Sequence, residues 1–312
     1  MGNVAGIIMM AYGSPDSPDD IVPYLADIKA RYARKGTHAG PTEEEIARLR
    51  RRYGAIGGLS PFNRITNEQA GALRAELERR GVQSNVYIGM KHWKPKISDA
   101  VSQIVRDGVG SLTALPMAPY YSTMSTEGYR MDLEAALEGE GAKPEIRFIR
   151  DWHMNGAFID SWSESLRAAI RAMRTTVDDT RIVFTTHSLP SAILKIKDPY
   201  PAQFAETAAA VATAVGSKNW SIAYQSGGGR DGWLGPDITA VLEGLVSSGG
   251  GNVLVAPIGF VAENLETMYD IDIECVRTFK GRGLNISRAA APNASPRFVD
   301  ALVSVVTGVE RA

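Results

Sequence analysis

The chain has 312 residues, of which 34 are basic and 35 acidic, so its net charge is −1, and 44% of its residues are hydrophobic. This composition is typical of a globular protein and excludes a disordered chain or one whose overall charge attracts nucleic acid. Cys275 is the sole cysteine, so the chain can form no internal disulfide and cannot ligate an iron–sulfur cluster. We therefore expect a protein of the reducing cytoplasm.

We expect neither end of the chain to carry a membrane anchor. The apolar run from Val4 to Ala11 is too short to span a bilayer, and no basic segment precedes it as in a signal peptide. The C-terminal apolar segment is also brief and ends in charged residues. We expect no stable membrane association and, because no additional apolar stripe stands out, a monomer.

Short apolar segments alternate along the chain with segments of helical periodicity, the pattern of βαβ units. It predicts strands at 4–11, 85–90, 111–117, 145–149, 181–186, 220–225, 252–258 and 284–288. It predicts helices at 42–53, 67–80, 97–106, 159–173, 201–215 and 238–247, the first two capped by Thr42 and Thr66. The fold class is therefore α/β, with two similar Rossmann-like domains, each a doubly wound parallel four-stranded sheet. We place the domains at 1–150 and 175–312, with a connecting helix in 151–174.

Ligands of such sheets bind beyond the carboxyl ends of the strands, where this chain carries aromatic, histidine and hydroxyl groups. The predicted strand ends carry YGS at 12–14, KHW at 91–93, PYYS at 119–122, HS at 187–188, QSG at 225–227 and GF at 259–260. No GxGxxG or GxxxxGK[ST] loop follows the first strand, which disfavours a nucleotide site. The groups suit a flat apolar ligand with polar edges.

His187 gives the strongest single signal, because it ends an apolar strand in FTTHSLP and a proline follows. An imidazole held at a sheet edge can ligate a metal or accept a proton near neutral pH. The alternative is a histidine that only bonds nearby backbone.

A second signal is the acidic segment FVAENLETMYDIDIEC at 260–275. On a helix, Glu266, Asp270 and Glu274 would lie on one face, where a divalent cation could offset their mutual repulsion. The alternative is a solvated helix face.

Taken in order, seven motifs resemble the ferrochelatase family: MAYGSP, RYGAIGGLSP, GMKHW, THSLP, DPYP, YQSGGGRDGWLGP and FVAENLETMYDID. The resemblance extends over nearly the whole chain. It implies two similar α/β domains with a porphyrin cleft between them and an enzyme that inserts Fe²⁺ into a porphyrin.

The resemblance also implies roles for particular residues. His187 and Glu266 would be the catalytic pair, which handles iron and removes two pyrrole protons. His92, Asp270, Asp272 and Glu274 would form an outer site for a second divalent cation. The implied porphyrin contacts are Tyr12, Lys29, Arg31, Arg52, Tyr53, Ser60, Tyr129 and Trp233. Iron and porphyrin are substrates in this interpretation, and no cofactor is permanently bound.

Residues 29–46 are mostly charged, Gly or Thr, and form a polar lip where membrane-associated relatives carry an apolar one. We therefore hypothesise coproporphyrin III, with four carboxylates, as the substrate. Protoporphyrin IX is the alternative, and a porphyrin carrier without insertion activity and a cobalt or nickel chelatase are the rivals. Transient contact with neighbouring haem-pathway enzymes is a further expectation.

Three features depart from the family pattern, and one of them is the segment at 29–46, which is longer than in short bacterial relatives. Glu263 and Asn264 stand where relatives often have Asp and His, and Lys197 stands where they often have Gly before AspProTyr. An asparagine cannot carry a proton, so rate or metal preference is expected to differ at this site.

Overall fold

The computed structural model describes residues 4–32, 40–227 and 231–309, and residues 33–39 of the polar lip lie outside them. The described strands are Val4–Ala11 (β1), Asn85–Met90 (β2), Val109–Pro116 (β3), Glu145–Phe148 (β4), Thr180–His187 (β5), Trp220–Gln225 (β6), Gly251–Ala256 (β7) and Leu284–Arg288 (β8). Each corresponds to a predicted strand, with ends that differ by a few residues.

The α-helices of the first half are Ile21–Tyr32 (α1), Glu43–Ala55 (α2), Phe62–Arg79 (α3), Ile97–Arg106 (α4) and Glu127–Gly139 (α5). They are followed by Gly156–Ala172 (α6), Tyr200–Val215 (α7), Ile238–Ser247 (α8), Val276–Phe279 (α9) and Pro296–Thr307 (α10). Short 3-10 helices cover Pro18–Asp20 and Ser191–Ile196, and a π-helix covers Thr267–Cys275.

The strands form two sheets with the same topology. The first has the order β2-β1-β3-β4 and the second β6-β5-β7-β8, and every neighbouring pair is parallel. In the first sheet, Met9 aligns with Ile88 on one side and Leu115 on the other. The central strands are apolar on both faces because helices cover both sides, as all-parallel sheets require. The predicted α/β class is confirmed.

A shared hydrophobic core joins the two halves. One cluster of buried side chains contains Met9 of β1, Trp162 of α6, Phe184 of β5 and Phe298 of α10. The C-terminal helix α10 packs on α6 and on α3 of the first half. Helix α6 occupies the predicted connection, while the domain limits at 150 and 175 stay a prediction.

Helices account for most differences from the predicted elements. Helices α1, α5, α9 and α10 were not predicted, and α3 begins at Phe62 rather than at Asn67. Thr66 does not cap this helix, because its hydroxyl donates to the Phe62 carbonyl one turn earlier in the helix interior. At α2 the predicted cap is confirmed, since Thr42 and Glu45 form a reciprocal capping box. Among the described helices none is long and apolar enough to cross a bilayer.

Candidate active site

A cavity of about 380 Å³ lies between the carboxyl ends of the two sheets. One wall is formed by residues after β1 and β3, and the facing wall by residues at the ends of β5 and β7. In each sheet these two strands are the adjacent central pair. The chain continues from one of them to one side of the sheet and from the other to the opposite side. Open α/β sheets bind their ligands at such a switch point. The predicted convergence of strand-end residues is confirmed for Tyr12, Lys91, Tyr120, His187 and Phe260, which all line this cavity.

Tyr12 projects from the end of β1 onto the first wall. The next residue, Gly13, has φ 89°, and a Cβ there would lie 2.7 Å from the Trp93 Cβ, so only glycine allows this close turn. The Tyr12 ring contacts the His92 ring, with centroids 4.5 Å apart. The turn at Gly13 therefore leaves the partly exposed Tyr12 phenol facing the cavity.

His187 and Glu266 face each other on the opposite wall. The Nε2 atom of His187 lies 3.4 Å from the Oε1 atom of Glu266, and about a third of each side chain is exposed. The Nδ1 atom of His187 contacts the Ser188 carbonyl. Because a carbonyl can only accept, Nδ1 carries the hydrogen, and in the neutral imidazole Nε2 keeps its lone pair. The atom that faces the cavity can therefore bind a metal or accept a proton.

The pair is electrostatically coupled. Burial lowers the pKa of His187, but the Glu266 carboxylate and the Ser188 carbonyl outweigh this effect, so the net pKa lies above its ordinary value. Burial likewise raises the pKa of Glu266, while the His187 charge, its hydrogen bond and Arg52 shift it to a net value below the usual range. The pair is therefore stabilised as imidazolium and carboxylate when no ligand separates it.

Five of the eight predicted porphyrin contacts line the cavity: Tyr12, Arg52, Tyr53, Ser60 and Tyr129. The Tyr53 hydroxyl lies 3.0 Å from the Ser14 hydroxyl, and burial raises the pKa of Tyr53 to about 12. The phenol therefore stays protonated at neutral pH and serves as a hydrogen-bonding group.

The other three predicted contacts are absent from the described lining of this cavity. Lys29 pairs with Glu45 at 2.7 Å, because α1 lies against α2. Arg31 pairs with Asp132 at 2.7 Å and donates to the Gly128 carbonyl, which turns it toward α5. Trp233 forms a β-bridge with Pro190.

The predicted outer cation site is not assembled from its four residues. His92 is buried beside Asp27, with 2.9 Å between Nδ1 and the carboxylate, and burial lowers its pKa to about 4. Asp272 instead forms a two-point ion pair with Arg288. No group of three or more His, Cys, Asp or Glu suited to a metal ion occurs among the residues the structure covers. The structure therefore does not bring these four side chains together, and their role in holding a cation stays a prediction.

Asp270 and Glu274 do share a surface, as their four-residue spacing predicts. They line a second cavity of about 940 Å³, next to Arg48 and Arg51. Asp270 forms an ion pair with Arg52 and accepts a hydrogen bond from the Ser226 hydroxyl at 2.7 Å. Asp270 therefore does not lie on a solvated helix face. Burial raises the pKa of Asp270 to about 6, although Arg52 opposes the shift. Arg52 lines both cavities and stands between them.

Sequence reasoning did not assign a role to several lining residues. Lys91 is buried at the end of β2, where its ammonium donates to the Ser125 carbonyl and lies 4.7 Å from the centre of the Tyr129 ring. Burial, with Arg31 nearby, lowers the pKa of Lys91 to about 8. Tyr24 comes from the unpredicted α1, and Tyr200 from the DPYP motif, whose position in the sequence was the available signal.

Asn264, one of the departures from the family pattern, has a structural role here. Its side-chain oxygen accepts from the backbone N–H groups of Glu266 and Thr267, at 2.8 and 3.0 Å. The residue therefore begins the helical segment that carries Glu266, as a helix cap does.

Comparison with known proteins agrees with this architecture. The family model described as Ferrochelatase matches residues 4–309. The chain is 39% identical to coproporphyrin III ferrochelatase of Geobacillus kaustophilus over 307 residues, covering 97% of this chain and 95% of that protein. It is 35% identical to the enzyme of the same name from Halalkalibacterium halodurans, with 96% of each chain covered.

Solved structures extend the comparison of the fold. The structure of SirB from Bacillus subtilis with Fe³⁺ superposes with a TM-score of 0.58 at 10% identity, covering 97% of this chain and 94% of that one. CbiX, a terminal enzyme of sirohaem biosynthesis, gives a TM-score of 0.54 at 10% identity. At these identities the likeness concerns the fold alone. The sequence matches the family over the full described length, and the structure has the two facing cavity walls and the His187–Glu266 pair. The chain therefore belongs to the ferrochelatase family.

Proposed function

We propose that this protein inserts Fe²⁺ into coproporphyrin III to give iron coproporphyrin in haem biosynthesis. The observation that carries the proposal is the His187–Glu266 pair, whose facing atoms are 3.4 Å apart in a cavity lined by aromatic side chains. Insertion of the ion displaces two pyrrole protons, so the site needs a metal ligand and proton acceptors at the macrocycle centre. A neutral imidazole and a carboxylate supply both.

The division of roles follows from the tautomer. With its hydrogen on Nδ1 bonded to Ser188, His187 presents the Nε2 lone pair to the macrocycle. Nε2 takes one pyrrole proton, and the resulting imidazolium is stabilised by Glu266, in line with the raised pKa of His187. The Glu266 carboxylate accepts the second pyrrole proton, so that both displaced protons have an acceptor. Tyr12, on the facing wall, contacts the other macrocycle face.

The charge around the cavity supports a substrate with several carboxylates. Arg52 and Lys91 both line it, and burial makes an ammonium at Lys91 costly unless an anion approaches it. Coproporphyrin carries four carboxylates and protoporphyrin two. The names of the two relatives above support the same choice.

We propose no permanently bound cofactor; iron enters as a substrate. We further propose a monomer in the cytoplasm that makes transient contact with neighbouring enzymes of haem synthesis. Sedimentation of the purified protein tests the monomer.

Anaerobic insertion assays with Fe²⁺ and each porphyrin test the function. We expect a higher kcat/KM for coproporphyrin III than for protoporphyrin IX, and loss of insertion in His187→Ala with porphyrin binding retained. A higher kcat/KM for protoporphyrin IX would contradict coproporphyrin III as the substrate. Binding without turnover by the wild type contradicts insertion and supports a carrier, and faster insertion of Co²⁺ or Ni²⁺ than of Fe²⁺ contradicts the metal.

A further inference from the structure

The peptide group between His187 and Ser188 is fixed at both of its polar ends. Its carbonyl, on His187, accepts a hydrogen bond from the Tyr200 hydroxyl at 2.8 Å. Its N–H, on Ser188, donates to the Gln225 carbonyl at 2.8 Å in continuation of the β5–β6 pairing. The next carbonyl, on Ser188, is the acceptor of the imidazole Nδ1–H. The orientation of this peptide therefore sets the direction of Nε2.

Among the described residues, the Tyr200 hydroxyl is the only side-chain group that donates a hydrogen bond to the His187 carbonyl. It also lies 2.8 Å from the Thr186 hydroxyl. Since a phenol has one hydrogen and gives it to His187, Thr186 must be the donor to Tyr200. A phenol keeps its hydrogen at neutral pH, so the buried Tyr200 hydroxyl can act as this donor.

Asp198 connects Tyr200 to the opposite wall. One oxygen of its buried carboxylate accepts from the Tyr200 N–H at 3.1 Å. The other accepts from the Thr123 N–H and hydroxyl, both at 2.8 Å, and from the Ser122 hydroxyl at 3.2 Å. Ser122 and Thr123 belong to the loop after β3, and this loop also supplies Tyr120, Met124 and Ser125 to the cavity lining. The carboxylate thus joins a loop of the first half to the segment that holds His187.

We infer that Asp198 and Tyr200 are positioning residues for metal insertion. Tyr200 holds the His187–Ser188 peptide so that Nε2 points into the cavity, and Asp198 sets the position of Tyr200 relative to the loop on the facing wall. The inference rests on the proposed function, because the group positioned is the proposed metal ligand and proton acceptor. Hydrogen bonds to a metal-ligating imidazole from its surroundings are known to tune affinity and rate.

Tyr200→Phe tests the inference, because it keeps the buried ring and removes one hydroxyl. We expect insertion of Zn²⁺ and Co²⁺ to slow by roughly ten-fold, the lower end of the range for such supporting groups, with a changed ratio of the two rates. If the substitution only reduced the amount of folded protein, both insertion rates would fall by the same factor. Tyr224→Phe is the matched control: Tyr224 is buried in the same aromatic cluster but lies outside the described cavity lining, so its two rates should match the wild type.

Nuclear magnetic resonance of the imidazoles gives a readout that does not need turnover. The chain has four histidines. In Tyr200→Phe we expect the His187 ring signals to shift and those of His92 and His153 to stay in place. Asp198→Asn should reproduce the His187 shift and also weaken porphyrin binding. Wild-type ring signals together with an unchanged metal ratio in Tyr200→Phe would overturn the inference, whereas a wild-type enzyme that inserts no metal would refute the proposed function instead.

Discussion

At the scale of single residues, the site depends on groups whose ionisation is set by their neighbours. His187 would be a poor base if burial alone acted on it, since burial lowers its pKa. The Glu266 carboxylate raises the pKa of His187 again, and the hydrogen bond to the Ser188 carbonyl raises it further. A protonated imidazole can neither ligate iron nor accept a proton, so the insertion rate should fall as the pH decreases through the raised pKa.

The pKa of His187 should therefore fall in Glu266→Gln. The amide removes the carboxylate charge and leaves burial, which lowers the pKa. A pH titration of the His187 ring signals measures the change, and Glu243→Gln, at an exposed ion pair with Arg282, is the control that should leave it unaltered. An equal or higher pKa in Glu266→Gln would contradict the coupling.

Lys197 illustrates a different residue-scale effect, in the backbone. It has φ 54° and ψ 41°, a left-handed conformation that glycine adopts without strain. Lys197→Gly should stabilise the fold by about 1 kcal/mol, the size of the steric cost that a side chain incurs there. Urea unfolding measures this gain. Lys195→Gly, inside the 3-10 helix that ends just before Lys197, should give no gain, and a loss of stability in Lys197→Gly would refute the argument.

At the scale of elements, the helical segment after Asn264 directs three of its acidic side chains to two different cavities. Glu266 lines the site, and Asp270 and Glu274 line the second cavity on the far side of Arg52. The π-helix Thr267–Cys275 continues directly into α9, and Asn264 supplies hydrogen-bond acceptors at its start. The position of Glu266 therefore depends on how this segment begins.

Replacing that cap should affect both stability and rate. In Asn264→Ala two backbone N–H groups lose their acceptor, which should cost about 1 kcal/mol of unfolding free energy, as for other helix caps. Asn264→Ser keeps an acceptor and should lose less. Urea unfolding gives the free energies, and insertion kinetics should show a lower kcat for the alanine variant. Equal stability of the two variants would contradict the capping role.

At the scale of the whole molecule, the two halves share contacts well beyond the cavity. Arg80, the residue that directly follows α3, pairs with Asp300 of α10 at 2.6 Å in a half-buried ion pair. The buried Gln69 amide donates to the Val261 and Asn293 carbonyls of the second half, at 2.9 and 3.0 Å. Together with the shared core, these contacts fix the distance between the two walls of the site.

The halves should therefore unfold together. Scanning calorimetry is expected to give one transition whose calorimetric and van't Hoff enthalpies agree, the mark of a two-state process. Arg80→Met removes a contact between the halves and should lower the transition temperature without splitting the peak. Two resolved transitions in the wild type would show instead that each half is a separate folding unit.

The sequence by itself determined where the eight strands lie along the chain and which residues lie near their carboxyl ends. Alternation of apolar strands with amphipathic helices specifies parallel sheets, and parallel strands place residues such as Tyr12 and His187 at carboxyl edges. Helices α1 and α10 escaped this pattern because their burial depends on packing against other helices, on α2 for the first and on the distant α3 and α6 for the second.

Only the tertiary structure decided the directions in which side chains point and the partners they meet. His92 and Asp272 carry metal-binding chemistry, yet one is buried against Asp27 and the other pairs with Arg288. Lys91 became part of the site through its burial, and Tyr200 through a hydrogen bond to the His187 carbonyl. Residue type and spacing are local properties, whereas burial and hydrogen-bond partners arise when segments far apart in the chain are packed together.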